Sequence, residues 1–244
     1  MRRSTTYRYR KQREEWNLKT LGIIGGLGPL ATAYFYRRIV EMTPAQIDQE
    51  HIETLIYSCP SIPDRTSYLL GRSDDSPIPK MVDAGSRLKE SGAEVLAIPC
   101  ITAHAFHQEL EKGIGIPVLH AIRELGDYCK KHGIERIGIM ATDGARATRI
   151  YEGVLDEFGI TCIWPSEDGQ KQVMKMIYDD VKAGKKIGES AFATETEKLF
   201  ADGSQAIVLG CTELSQAKNT MDLDDRYIDI IDVLAAACVR ECAK

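Results

Sequence analysis

The chain lacks most of the signatures that assign a sequence to a class at sight. No CxxC pair and no Cys/His cluster at zinc-ligand spacing occurs among its seven cysteines, so neither a zinc ribbon nor a disulfide scaffold is indicated. No apolar run approaches a membrane span. The longest, such as Val95–Pro99 and Ala206–Leu209, are strand-sized. The first residues include no apolar stretch of the kind a secretory leader needs. There is no overall basic excess either, because 31 Lys and Arg face 36 Asp and Glu for a formal charge of −5. A globally basic nucleic-acid binder is thereby excluded. The expectations are a cytoplasmic, reducing setting with free thiols, no membrane partner and no nucleic-acid partner.

What is present is a 244-residue chain with 43% hydrophobic and 27% charged residues, enough apolar matter for a large core. Seven of the basic groups and only two acidic ones fall in residues 1–19, which we read as a basic arm on an acidic body. After Thr20 the pattern changes at once. Leu21–Ile24 predicts a buried strand, Gly25-Gly26-Leu27-Gly28-Pro29 a tight turn, and Ala31–Met42 a helix. Glu53–Tyr57, Glu94–Ile98 and Arg136–Met140 read as further strands, with helices over Lys80–Ser91 and Ile122–Lys131. Strands alternating with helices predict parallel sheets in an α/β fold.

An internal repeat sharpens this. Gly22-Ile23-Ile24-Gly25 aligns with Gly138-Ile139-Met140-Ala141 at an offset of 116, and the match continues to Thr32 and Thr148. At an offset of 111, Gly92 through Cys100 aligns with Gly203 through Cys211. Each half thus has a glycine, a buried strand and a cysteine where the strand ends. A period above 100 residues indicates duplicated lobes, since solenoid repeats are roughly 20–50 residues long. Ligands of open parallel sheets bind beyond the carboxyl ends of strands. Two lobes facing each other about a pseudo-twofold would bring Cys100 and Cys211 to one cleft from opposite sides. Two equivalent thiols suit a reaction that removes a proton from one face of a carbon and returns one to the other, as racemisation and epimerisation require.

The residues that carry a resemblance now stand together. They are Leu21-Gly22-Ile23-Ile24-Gly25-Gly26-Leu27-Gly28-Pro29, Ile62-Pro63-Asp64-Arg65-Thr66, Ala97-Ile98-Pro99-Cys100-Ile101-Thr102-Ala103-His104, Ala141-Thr142-Asp143-Gly144 and Val208-Leu209-Gly210-Cys211-Thr212-Glu213-Leu214. In this order they resemble the aspartate/glutamate racemase family, which works without pyridoxal phosphate. The resemblance implies two similar α/β lobes, residues 20–119 plus 229–244 and residues 120–228, with the site in the cleft between them. It implies Cys100 and Cys211 as the acid–base pair. Arg65 resembles the family's arginine for a side-chain carboxylate, and Lys182 its second carboxylate-binding cation. Thr102 and Thr212 would hold the substrate's α-carboxylate or amine. Ile101 stands where the family usually has Asn, and Leu27 where many relatives have Met, so both mark substrate preference. The implied substrate is a small acidic amino acid, with no metal, no cofactor and a homodimer as the assembly. His104 and Glu213, close behind the two cysteines, could tune their charge but stay outside the expected catalytic set. The alternatives are a non-catalytic amino-acid or dicarboxylate binder, or a related two-cysteine racemase or isomerase acting on another small carboxylate.

Overall fold

A computed structural model describes residues 18–243. The basic arm of residues 1–19 therefore falls almost wholly outside the described residues. Lys19 is described, and it ties to the end of the chain through its backbone N–H to the Cys242 carbonyl and its ammonium to Glu241.

The described residues build two wholly parallel sheets. The first contains β1 (Leu21–Gly25), β2 (Thr54–Ser58) and β3 (Val95–Ala97) in the order β2-β1-β3. The second contains β4 (Arg136–Met140), β5 (Thr161–Ile163), β6 (Ala206–Leu209) and β7 (Tyr227–Asp229) in the order β5-β4-β6-β7. The first three strands of each half adopt the same order, which is the structural form of the sequence repeat. Paired β-carbons alternate between two covered faces. On β1, Leu21 and Ile23 join one core cluster while Ile24 joins another. On β6, Ala206 and Val208 separate in the same way from Ile207 and Leu209. Burial on both faces explains why these strands read as continuous apolar runs.

The helices that matter here are α1 (Pro29–Met42), α2 (Arg65–Leu69), α3 (Ile78–Glu90), α4 (His107–Ile114), α5 (Ala121–His132), α6 (Asp143–Ala147), α7 (Glu152–Leu155), α8 (Glu167–Lys175), α9 (Glu189–Ala201), α10 (Ser215–Thr220) and α11 (Ile230–Cys242). The last helix packs against both α1 and α5. One core cluster accordingly runs through Ile23, Phe35, Ile122, Ile139 and Leu234 and joins the two sheets. Asp229 caps α11 by accepting the Ile231 N–H at 2.9 Å, and it also accepts from Ser215 and Tyr34. None of the helices among the described residues is long and apolar enough to cross a membrane.

The predicted elements fall within a few residues of those observed. After Cys100 the chain does not enter an α-helix at once: Ile101–Phe106 is a 3₁₀ turn that leads into α4. Likewise, α10 starts four residues beyond Cys211.

The glycine-rich turn after β1 is held tightly. The Gly26 N–H donates to Thr32 Oγ1 at 2.9 Å, and that hydroxyl donates to the Gly28 carbonyl at 3.0 Å. Gly26 has φ +89°, and a Cβ there would stand 2.4 Å from the Cys59 backbone nitrogen. Both the left-handed backbone and the contact with main chain oppose any side chain. Gly26→Ala is expected to cost at least ~2 kcal/mol, from the strained dihedral plus the overlap. Chemical denaturation measures it, and a loss below about 0.5 kcal/mol would show that the turn can relax.

Candidate active site

Each cysteine arrives at the site by the same route. Cys100 lies just past β3 and Cys211 just past β6, both at carboxyl ends. The Gly210 position before Cys211 is fixed from below. The buried Tyr151 hydroxyl donates to the Gly210 carbonyl at 3.0 Å, leaving no room for a Cβ on Gly210. Loops from the two halves meet directly above the strands. Asp64 caps α2 through the Ser67 N–H, and Thr142 caps α6 through the Ala145 N–H. Gly144 of α6 lies so near α2 that a Cβ would come 3.0 Å from the Thr66 Cα. Thr102 and Thr142 share a buried hydroxyl hydrogen bond of 2.9 Å.

These loops line a partly open cavity of about 20 Å³, room for roughly one water. Cys100 and Cys211 both line it, as do Arg65, Ile101, Thr102, Thr212, Lys182 and Leu27. All eight expected site residues are thus brought together. The wall also contains Asp64, Thr66, Thr142, Tyr178 and Glu213, which sequence reasoning did not place in the site. His104 is not in the wall. It belongs to the 3₁₀ turn, with Nε2 facing the Ile98 carbonyl at 3.2 Å and its ring 5.2 Å from that of His120. Burial, with help from His120 and His107, lowers its pKa to about 3, so it stays neutral.

The surroundings of the two sulfurs carry opposite charge. The Arg65 guanidinium lines the cavity together with Cys100. It is itself strapped down, donating through Nη2 to the Leu27 carbonyl at 3.0 Å and through Nη1 to the Pro63 carbonyl at 2.9 Å. Its buried Nε has no partner in the protein. Burial works against the charge, but Cys100, Asp64 and Tyr178 outweigh it and raise the Arg65 pKa. Cys211 meets an anion instead. Its thiol donates to Glu213 Oε2 at 2.8 Å, and the Thr212 hydroxyl donates to the same oxygen at 3.0 Å. Burial, then the Glu213 charge, pushes the Cys211 thiol well above its ordinary value, with Lys182 opposing.

Glu213 stays ionised because of its other partner. Lys182 Nζ approaches Glu213 Oε1 at 2.8 Å. Burial would raise the Glu213 carboxyl, but Lys182 and the hydrogen bonds from Cys211 and Lys182 hold it below its usual range. Reciprocally, Glu213 and the nearby thiols outweigh burial and keep the Lys182 ammonium charged. Lys182 is delivered by a π-helical turn over Met176–Val181, which also presents Tyr178 toward Asp64 at 3.4 Å. Short π turns often mark functional positions in this way. Among the described residues no group of three or more His, Cys, Asp or Glu side chains could hold a metal ion.

Comparison with known proteins identifies the family and the fold. The family described as Asp/Glu/hydantoin racemase matches residues 24–238. The broad specificity amino-acid racemase RacX of Bacillus subtilis is 25% identical over 228 residues, 90% of this chain and 96% of the relative. Among solved structures, the Picrophilus torridus aspartate racemase superposes with a TM-score of 0.80 at 29% identity, covering 92% of this chain and 94% of that one. Glutamate racemase from Francisella tularensis, at 17% identity and a TM-score of 0.66 over 92% and 81% of the two chains, shares the fold. With a matched profile spanning most of the chain and two cysteine-bearing strand ends in one cavity, this protein belongs to the Asp/Glu/hydantoin racemase family of isomerases.

Proposed function

We propose that the chain racemises a free amino acid through two thiols, with aspartate and glutamate among its substrates and without pyridoxal phosphate or metal. The observation that carries this reading is that Cys100 and Cys211, at equivalent strand ends of the two sheets, both line one small cavity. The Cα proton of an amino acid is barely acidic, so its removal needs a base freed from water and cations for the charge that develops. The cavity offers both. Cys100, beside the Arg65 cation, takes the proton from one face. Cys211, held as a thiol by burial and Glu213, donates to the other. The carbon passes through a planar carbanion, and the reverse reaction exchanges the two sulfurs' roles. Thr102 and Thr212 supply hydroxyls for the α-carboxylate and amine. Arg65 and Lys182 supply cations for an acidic side chain, which fits carboxylate recognition. The reading includes a cleft between the two lobes defined by the repeat and a homodimer as the working assembly.

Incubation with L-aspartate or L-glutamate in D₂O tests it. Deuterium should enter Cα while the D-enantiomer accumulates, and chelator should leave the rate unchanged. A protein that binds these amino acids but exchanges no Cα proton would be a binder, and the proposal would be lost.

A further inference from the structure

The catalytic cavity is not the only space at this site. A second cavity of about 510 Å³ shares its inner wall, formed by Lys182, Thr212 and Glu213. Its outer wall is mostly apolar, built from Pro29, Leu30 and Ala31 at the start of α1, Tyr34 one turn on, and Val181 from the π turn. Ligand pockets usually measure about 300–1,000 Å³, so the outer space is ligand-sized while the inner one is not. Leu30 is 81% exposed, an apolar side chain lining an apolar hollow whose inner wall backs onto the cavity of the two thiols.

We infer that this outer cavity is a side-chain pocket through which the enzyme also racemises amino acids with unbranched apolar side chains of three or more carbons, in addition to acidic ones. The inference rests on the two-thiol reading above. The inner space has no room for a side chain beside the reacting carbon. With Cα between the sulfurs the side chain therefore leaves past Lys182 and Glu213, and the longer it is the more of the outer hollow it fills. Lys182 is the partner that yields. Glu213 is anchored by the Cys211 thiol and Thr212 hydroxyl, while the lysine stem is long and partly exposed. Beyond that pair the side chain meets Leu30, Val181 and Tyr34.

The same ion pair removes the usual barrier to a neutral side chain. A site built around free charges rejects a ligand that leaves those charges unpaired. Here Lys182 already has Glu213, so a neutral side chain leaves that cation paired. Arg65 keeps the Leu27 and Pro63 carbonyls but has an unpartnered Nε, so it still favours the acidic substrates. An acidic side chain gains by drawing Lys182 toward itself, whereas an apolar one gains by filling the outer hollow.

The test is a length series (L-alanine, L-norvaline and L-norleucine), run beside L-aspartate and L-glutamate, with racemisation and Cα deuterium exchange both recorded. One methylene in an apolar pocket is worth roughly tenfold or more in kcat/KM. The wild type should favour norleucine over alanine by at least about tenfold. Leu30→Asp should collapse that norleucine-to-alanine ratio by a similar factor, because it places a carboxylate in the apolar wall. An acidic residue in the first turn of a helix is favourable, and the site is exposed, so the variant should fold. A circular-dichroism melt checks this. A flat series, or a ratio untouched by Leu30→Asp, overturns the inference. Exchange with aspartate or glutamate but not norleucine sinks this inference alone, whereas no exchange with any of the five removes the racemase reading beneath it.

Discussion

Alanine at Cys100 or at Cys211 is expected to lower racemisation by at least ~10³-fold, within the range that positioned acid–base groups contribute. The two losses should look alike in a racemisation assay and opposite in an exchange assay. Without Cys100 the surviving thiol can still remove and return a proton on its own side of the substrate. It washes deuterium into one enantiomer and leaves the configuration intact. Without Cys211 the other enantiomer should show this behaviour. NMR of the Cα signal, recorded separately for each enantiomer in D₂O, distinguishes the cases. The competing mechanism uses one cysteine and a substrate that turns over between proton transfers. Under it, one of the two alanine variants would racemise at nearly the wild-type rate, and the paired assignment would have to be abandoned.

Glu213→Gln is expected to reduce kcat by about 10²-fold, close to 2.7 kcal/mol of barrier, and to move the pH profile. The sign follows from the charge. In the wild type, burial and the Glu213 carboxylate both hold the Cys211 thiol above its ordinary value, so it remains a proton donor to high pH. The amide keeps the shape but removes the charge. Cys211 then ionises at lower pH, with Lys182 now unopposed, and the alkaline limb of kcat should shift downward. A merely structural role would lower activity at all pH values and leave the limb in place. An unmoved limb would therefore refute the electrostatic role of Glu213. Buried charge pairs broken from one side also destabilise the fold. Lys182 is partly exposed, so the cost is set well below the 3–5 kcal/mol of a fully buried pair.

The parts legible in the sequence were those that local chemistry dictates. A strand buried on both faces must be apolar throughout, so β1, β3, β4 and β6 announced themselves, and the repeat of glycine, strand and cysteine located both sulfurs. Arg65 was legible because Ile62-Pro63-Asp64-Arg65-Thr66 is a compact local motif. Lys182 was harder to single out, since four other lysines lie within about a dozen residues and only the π turn decides which one reaches the cavity. Tyr178 was missed for the same reason: helical periodicity gives no hint of an i→i+5 turn. Asp64, Thr66 and Thr142 were quoted inside motifs, yet their place in the wall depends on α2 and α6 meeting across the halves, a tertiary contact. Glu213 was noticed but not assigned, because its weight comes from Lys182, thirty-one residues away, rather than from its neighbours. The cluster of His104, His107 and His120 was invisible as a cluster, since the 3₁₀ turn sets which rings meet.

The unequal neighbours of the two sulfurs, a guanidinium beside Cys100 and a carboxylate beside Cys211, have a thermodynamic consequence. In water the two hands of an amino acid have identical free energy, so a catalyst of their interconversion operates at an equilibrium constant of one. The specificity constants for the two enantiomers must then be equal, however lopsided the site. Asymmetry built by Arg65 on one side and Glu213 on the other can appear only as a trade between turnover and half-saturation. A hand that the site binds more tightly must turn over more slowly, and its mirror image must compensate in the opposite sense. The site can choose which enantiomer occupies it, but not which one accumulates.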